Sequence, residues 1–161
     1  MLNSAKKIFA TVFIATLCYA GSSQQLFSMF IQPEQDVVQT RSPVRIKVTM
    51  KNKSDRVVSI AETNPADDFI MIVKNAQGAS VPLTALGAML KDKSKRPLAI
   101  QQRNFILTLK PGETAEDTVE VSAFCDMTAV GQYKIQLQRA LPSELGSGMV
   151  SSNVIVVTVT E

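Results

Sequence analysis

Short segments in which apolar and polar residues alternate recur along most of this chain, and they constrain its fold more than any other feature. The clearest is VRIKVTM, Val44 to Met50, where every second residue is apolar. Successive side chains of a strand point to opposite faces, so this segment predicts a strand with one buried and one exposed face. The polar cluster Asn52 to Asp55 favours a turn. We therefore expect the next segment, around Val57 to Ile60, to pair back on this strand.

Three later segments also predict strands. Phe69 to Asn75 is apolar on both faces, which is typical of a central strand covered on both sides. Apolar and polar residues alternate from Tyr133 to Gln138, and β-branched residues fill most of Ser152 to Val159. These last two segments are predicted to form a closing hairpin. Their connection, Pro142 to Gly148, is rich in Gly and Ser and is predicted to be an exposed, mobile loop.

A turn is predicted at Lys110 to Glu113, which reads KPGE. Pro111 has a fixed φ and no N–H to donate, while Gly112 can supply the positive φ of a tight turn. The turn predicts a hairpin between the strand ending at Leu109 and a return strand from Thr114 to Ser122. Strands at this spacing, separated by turn residues, indicate an all-β antiparallel sandwich of about seven to nine strands.

The first twenty residues differ from the rest. A basic start, MLNSAKK, precedes an apolar run from Ile8 to Leu17 that is too short to span a bilayer comfortably. Small residues before Gly21 predict cleavage after Ala20, so residues 1–20 are a predicted signal peptide and residues 21–161 a single domain. The alternative is lipidation at Cys18. Export to the periplasm or out of the cell follows from either reading.

Charge and cysteine content limit the partners of the predicted mature chain. Removal of Lys6 and Lys7 leaves 15 basic against 14 acidic residues, so nothing in the net charge favours nucleic acid or a membrane surface. Cys125 is then the single cysteine, and no internal disulfide can form. We expect it to be buried, as free cysteines commonly are; the alternative is a bridge between two chains. A monomer is predicted, or a weak dimer through Cys125 or a sheet edge.

The chemistry of common enzymes is missing from the sequence. There is no histidine, which removes mechanisms with a histidine base and the commonest ligand of zinc and copper. No phosphate-binding loop or dinucleotide fingerprint occurs either. Asp67 and Asp68 are predicted to lie in a solvated turn rather than in a calcium site, which needs six or more oxygen ligands. The chain is predicted to be non-catalytic, without cofactor or metal.

The segment Leu83 to Pro97 breaks the strand pattern. Leu86, Met89 and Leu90 predict either one short helical turn at the end of the sandwich or an exposed apolar ridge. A basic cluster follows them. It could dock on an acidic partner or present a segment to a peptidase, although a solvated loop is the more ordinary reading.

Three phrases, KNKSD (Lys51 to Asp55), LKPGET (Leu109 to Thr114) and VGQYKIQL (Val130 to Leu137), resemble bacterial immunoglobulin-like domains, including those grouped with the intracellular proteinase inhibitor family. The resemblance covers most of residues 26–160 and implies an immunoglobulin-like sandwich. Asp126 to Tyr133 also looks like a tyrosine corner, in which the Tyr133 hydroxyl bonds to the backbone a few residues upstream. The residues assigned structural roles are Pro111, Gly112, Gly131 and Tyr133.

The leading hypothesis is a binding or structural module that contacts another, unidentified protein through loops or a sheet edge. The resemblance implies an alternative, a peptidase inhibitor that presents Lys91 to Pro97 or Ser143 to Gly148. The candidate binding residues are Lys91, Lys93, Lys95, Arg96, Glu144 and Leu145.

Overall fold

The computed structural model describes residues 26–92, 94 and 105–161, which form ten strands and two short helices. The predicted signal peptide lies outside these residues, as do Lys93, Lys95 and Arg96. The helices are α1 (Pro65–Asp68) and α2 (Ala85–Lys91). The strands are β1 (Phe27–Pro33), β2 (Val37–Gln39), β3 (Arg45–Asn52), β4 (Val58–Glu62), β5 (Ile70–Lys74), β6 (Phe105–Leu109), β7 (Thr114–Glu120), β8 (Gly131–Ala140), β9 (Met149–Ser151) and β10 (Ile155–Thr160).

The strands form three sheets. The three-stranded sheet has the order β1-β3-β7, the five-stranded sheet has the order β2-β10-β8-β5 with β9 on β8, and β4 pairs with β6. All pairs are antiparallel except β2 with β10. The predicted all-β, immunoglobulin-like sandwich is confirmed. The described residues hold ten strands rather than seven to nine, because β2 and β9 are only three residues long and too short for a visible alternation.

One apolar core joins the sheets, and the alternating residues supply it. Ile46, Val48 and Met50 of β3 are fully buried, as are Ile135 and Leu137 of β8. Burying a side chain of this size contributes about 1.5 to 3 kcal/mol. The predicted inner face of β3 is therefore confirmed.

The predicted tyrosine corner is also present. The Tyr133 hydroxyl donates a hydrogen bond of 2.7 Å to the carbonyl of Ala129. Burial raises the pKa of Tyr133, and nearby Asp126 raises it further, while the bond to Ala129 opposes them. The hydroxyl therefore remains a neutral donor and holds the segment before β8 against the core.

The hairpins predicted at the Asn52 turn and at the Pro111-Gly112 turn are wrong. β3 pairs with β7 rather than with β4, and β6 pairs with β4 rather than with β7. The chain therefore crosses between sheets at the Asn52 turn and again at the Pro111-Gly112 turn. The predicted turn itself is confirmed at the second crossing, where Gly112 has a φ of +79°.

Asn52 explains why the chain crosses between sheets at these two places. Its buried amide Nδ2 donates to the carbonyls of Arg56 (2.6 Å) and Leu109 (3.0 Å), and its Oδ1 accepts from Ser54. Its backbone carbonyl accepts from the N–H of Gly112. One side chain thus ties both crossings together at one end of the sandwich.

Among the described strands β5 lies at the edge of its sheet, so the prediction that Phe69 to Asn75 forms a central strand is wrong. Its inner residue Val73 packs on the core, while Ile70 on the outer face is 55% exposed. The predicted pairing of the last two long segments is confirmed, since Ile155 of β10 lies opposite Ile135 of β8. β9 is inserted between them in the chain.

The helical reading of Leu83 to Pro97 is confirmed for its first part. α2 begins after Thr84, whose Oγ1 accepts from the N–H of Gly87 at 3.0 Å. A Cβ on Gly87 would lie only 2.2 Å from the carbonyl oxygen of Phe124, so only glycine lets the helix approach so closely. The helix adjoins Cys125, whose predicted burial is confirmed and raises the pKa of its thiol.

Candidate functional site

An arginine occupies a core position at the end of β8. The inward residues of this strand are Tyr133, Ile135 and Leu137, and Arg139 continues the same alternation opposite Val150 of β9. Arg139 is only 8% exposed. Charged residues are almost never this deeply buried without partners, so the surroundings of Arg139 form a candidate functional site.

The guanidinium of Arg139 has three neighbours of different chemistry. Its Nη2 donates to the backbone carbonyl of Ala61 in β4. Its Cζ lies 5.3 Å from the centre of the Phe69 ring, in cation–π geometry, and its Nη1 lies 4.0 Å from the sulfur of Met50. Arg139 thereby joins the end of β8 to β4 across the side of the sandwich.

The charges of three carboxylates act on Arg139, and among the described residues no carboxylate forms an ion pair with it. Burial lowers the pKa of Arg139, and the charges of Asp68, Glu62 and Asp117 oppose that shift. Burial raises the pKa of Glu62, and so do Asp117 and Asp68, whereas Arg139 lowers it. Glu62 alternates in phase with the buried residues of β4 and Asp117 with those of β7, but Glu62 is half-buried and Asp117 is exposed. Charges at such positions of edge strands are one way in which sheet edges are kept apart.

Among the described residues no strand pairs with the edge of β4 away from β6, and two side chains bond to this edge, which we call the free edge of β4. The edge of β4 away from β6 carries the Ser59 N–H, which donates to Glu144 Oε1 at 2.8 Å, and the Ala61 carbonyl, which accepts from Arg139. The N–H and C=O of one strand residue point to the same side, so the Ser59 carbonyl and the Ala61 N–H face this edge too. A carboxylate and a guanidinium thus occupy positions that a neighbouring strand would fill with its own C=O and N–H.

Glu144 is held in place by the connection between β8 and β9. Residues Ser143–Leu145 form a 3-10 turn, and Leu145 packs against the core. Ser143 Oγ lies 3.1 Å from Glu144 Oε2, and Arg56 Nη1 lies 3.5 Å from the Glu144 carbonyl. Hydrogen bonding to its own backbone and to Ser59 lowers the pKa of Glu144. The predicted exposed loop is therefore docked on β4 at this point.

A cleft of about 480 Å³ lies beside the free edge of β4, and we call it the β4-edge cleft. Ser59 and Ala61 form one wall, the end of β8 with Arg139 forms another, and the exposed side chains of Ile70 and Met149 lie at its sides. The cleft therefore combines backbone hydrogen-bonding groups with apolar surface.

The candidate binding residues are distributed between two places. Glu144 and Leu145 lie together at the edge of β4, although Leu145 faces the core. Lys91 ends α2 and lines a separate apolar pocket of about 240 Å³ with Phe124 and Cys125. The remaining three basic candidates lie outside the described residues, so a binding role for this cluster stays a prediction.

Sequence reasoning missed Arg139, Ser59 and Ala61. The sequence did indicate the position of Arg139, because every second residue after Tyr133 is expected on the inner face of the strand. Ser59 and Ala61 take part through backbone atoms, which leave no mark in the sequence.

Within residues 26–92, 94 and 105–161, no group of three or more Cys, Asp or Glu side chains is arranged to hold a metal ion. Neither helix in these ranges is long and apolar enough to cross a membrane.

Proteins similar to this chain occur among solved structures. No protein-family model matches the chain, and no curated protein matches it. Among solved structures it is similar to the CARDB domain of the PF1109 protein from Pyrococcus furiosus, a structure in complex with di-metal ions. The identity is 16%, the TM-score is 0.42, and the likeness covers 83% of this chain and 87% of the other.

Proposed function

We propose that the protein is an exported, non-catalytic binding module that accepts an extended segment of another protein at the free edge of β4. The observation that carries the proposal is a pair of hydrogen bonds at the backbone of β4: Glu144 accepts from the Ser59 N–H, and Arg139 donates to the Ala61 carbonyl. The side chains of Glu144 and Arg139 occupy positions where the backbone of an added strand would bond to β4. The β4-edge cleft lies alongside them.

Strand addition would proceed by exchange at Ser59. A carbonyl of the incoming segment replaces the Glu144 carboxylate as acceptor for the Ser59 N–H, and the Ser59 carbonyl accepts an N–H in return. Arg139 stays on Ala61, because it is buried and stacked on Phe69. Alternate side chains of the segment would contact exposed Ile70 and Met149 at the sides of the cleft.

The same hydrogen bonds have a second reading, in which Glu144 only protects an edge strand from unwanted pairing. The two readings predict different behaviour when Glu144 is removed. If Glu144 only protects the edge, its removal should let any exposed strand pair with β4, including a strand from a second copy of this chain. A binding edge accepts an extended peptide while the protein stays monomeric.

Peptide binding separates these readings. The probe is acetyl-Thr-Val-Thr-Val-Thr-amide, titrated into residues 21–161 while the amide resonances of Ser59 and Ala61 are followed by NMR. We expect both resonances to shift and their hydrogen exchange to slow. Glu144→Ala should bind about tenfold more tightly, since a charge-assisted bond no longer competes for the Ser59 N–H.

Two controls accompany this titration. The same peptide with N-methylated backbone keeps its side chains but cannot pair, so it should not bind. Glu113→Ala removes another carboxylate that accepts from a backbone N–H, that of Lys110 at 2.7 Å, and should leave peptide binding unchanged. Equal binding of both peptides, or no binding to Glu144→Ala, overturns the proposal. Self-association of Glu144→Ala without peptide binding assigns Glu144 to edge protection alone.

Export is tested separately by the mass of the mature protein. Cleavage of the predicted signal peptide after Ala20 gives a chain that begins at Gly21. Recovery of the intact chain from the cytosol contradicts export, and a lipid-modified Cys18 replaces cleavage after Ala20 with anchoring.

A further inference from the structure

The five-stranded sheet has an outer face without carboxylates. None of β2, β5, β8, β9 and β10 contains an aspartate or a glutamate. The residues of these strands that alternate with core residues point outward, and we call this surface the outer sheet face. Its charges come from two lysines, Lys74 of β5 and Lys134 of β8.

These two lysines lie directly opposite each other. Lys74 pairs in register with Lys134, one position beyond the buried pair of Val73 and Ile135. Like charges at opposed positions of an antiparallel pair destabilise a sheet. On its other side Lys134 faces Val156 of β10, which offers no charge. The arrangement therefore lacks a counter-charge within the sheet.

Apolar side chains flank the lysine pair on the same face. Val156 is 44% exposed beside Lys134, and Ile72 lies half-buried two residues before Lys74. Ile70, Met149 and Val37 are exposed farther along the face. Single exposed apolar residues are ordinary, but several on one flat face beside an unbalanced charge pair are typical of an interaction surface.

We propose that the outer sheet face binds an acidic surface of a partner protein, whose carboxylates lie against Lys74 and Lys134 and whose apolar side chains contact Ile72 and Val156. The unbalanced lysines find their counter-charge in the partner. A second copy of the chain does not fit, because a two-fold interface would bring two such faces together without any carboxylate. Two lysines are also too few for the phosphate contacts that hold nucleic acid.

This inference stands on a different observation from the β4-edge proposal, although the two surfaces adjoin at Ile70 and Met149. One partner can therefore cover both. A probe for the outer sheet face must consequently be unable to add to β4.

The probe is a cyclic β-hairpin peptide that alternates Glu and Val on one face and is N-methylated along its outer edges, so that it cannot pair with a strand. Titration into residues 21–161 should shift amide resonances of β5, β8 and β10, and added salt should weaken the binding. The double variant Lys74→Glu, Lys134→Glu should bind about tenfold more weakly and should instead bind the matching Lys-Val hairpin.

The control variant carries Lys51→Glu and Lys53→Glu, which change two exposed lysines outside this face by the same net charge. It should bind the acidic hairpin as the wild type does. Equal weakening in both double variants means that net charge alone attracts the probe, and this overturns the inference. Tighter binding of anionic vesicles or single-stranded DNA than of the hairpin, lost in the Lys74, Lys134 variant, overturns it in favour of a lipid or nucleic acid. None of these results touches the β4-edge proposal, which depends on Glu144.

Discussion

β3 and β8 are both interior strands with a neighbour on each edge, yet the outward-facing cations of the two strands have opposite surroundings. On β3, Arg45 lies 3.2 Å from Glu120 and Lys47 lies 2.8 Å from Glu116, both across the pair with β7. On β8, Lys134 faces another lysine. Cross-strand ion pairs thus neutralise two of the three cations on the outer face of β3, whereas Lys51 lies opposite Thr114 and Ser28. Neither lysine of the outer sheet face lies opposite a carboxylate in the strands that pair with it.

The inner face of β8 also carries a cation, Arg139, and this one has partners within the chain: the Ala61 carbonyl and the Phe69 ring. Arg139→Met removes the bond to Ala61 and the stacking on Phe69, and it leaves Glu62 without the positive charge that lowers its pKa. We expect a loss of about 2 to 3 kcal/mol in the free energy of unfolding, measured by urea denaturation. Lys134→Met, the same change on the outer face, should alter it by less than about 0.5 kcal/mol. Equal losses would show that β8 does not distinguish its two faces.

Tyr133 is a buried but neutral group on the same inner face, so its substitution tests the loss of a buried hydrogen bond without a change of charge. Tyr133→Phe removes the hydrogen bond to Ala129 and no charge. The expected loss is about 1 to 2 kcal/mol by the same denaturation experiment, smaller than for Arg139→Met. No loss of stability would remove the structural role of the tyrosine corner.

Reversing the charge of Lys134 should give the outer face of β8 a cross-strand ion pair like those of β3. Lys134→Glu places a carboxylate opposite Lys74 and replaces repulsion with an exposed ion pair. The free energy of unfolding should rise by about 0.5 kcal/mol at low salt. A fall in stability would mean that the two lysines do not repel each other. The charge argument for the outer sheet face would then be wrong.

The smallest expected effect comes from breaking a pair on β3. Glu116→Gln removes the partner of Lys47, and both side chains are about half exposed. We expect a loss of about 0.3 kcal/mol that disappears in 0.5 M salt, roughly the range in which exposed pairs are screened. A larger loss that persists in salt would indicate packing rather than charge.

The sequence predicted strands and their buried faces well, because the period-two pattern of β3 or β8 is local. Strand pairing was predicted less well. The partners of β4 and β7 depend on the crossings that Asn52 holds together, and those bonds join residues as far apart as Asn52 and Leu109. A turn sequence such as KPGE indicates a reversal but not the sheet to which the chain returns.

The candidate site was predictable only in part. Glu144 was selected as an exposed loop residue, whereas its position comes from a hydrogen bond to Ser59. The lysine pair could not be found from the sequence, because it depends on the register of β5 against β8, and β5 was expected to be a covered strand. Its apolar outer residues, read as evidence of burial, belong instead to the outer sheet face.

The buried amide of Asn52 has a practical consequence for producing this protein. Asn52-Lys53-Ser54 is an acceptor sequence for N-linked glycans, which eukaryotic secretory cells attach while the chain is still unfolded. A glycan on Nδ2 would replace one of its two hydrogens and so remove one of the two bonds to Arg56 and Leu109, and it cannot fit where the side chain is fully buried. Material secreted from such cells should therefore fold only in the fraction left unglycosylated, whereas a bacterial host avoids the conflict.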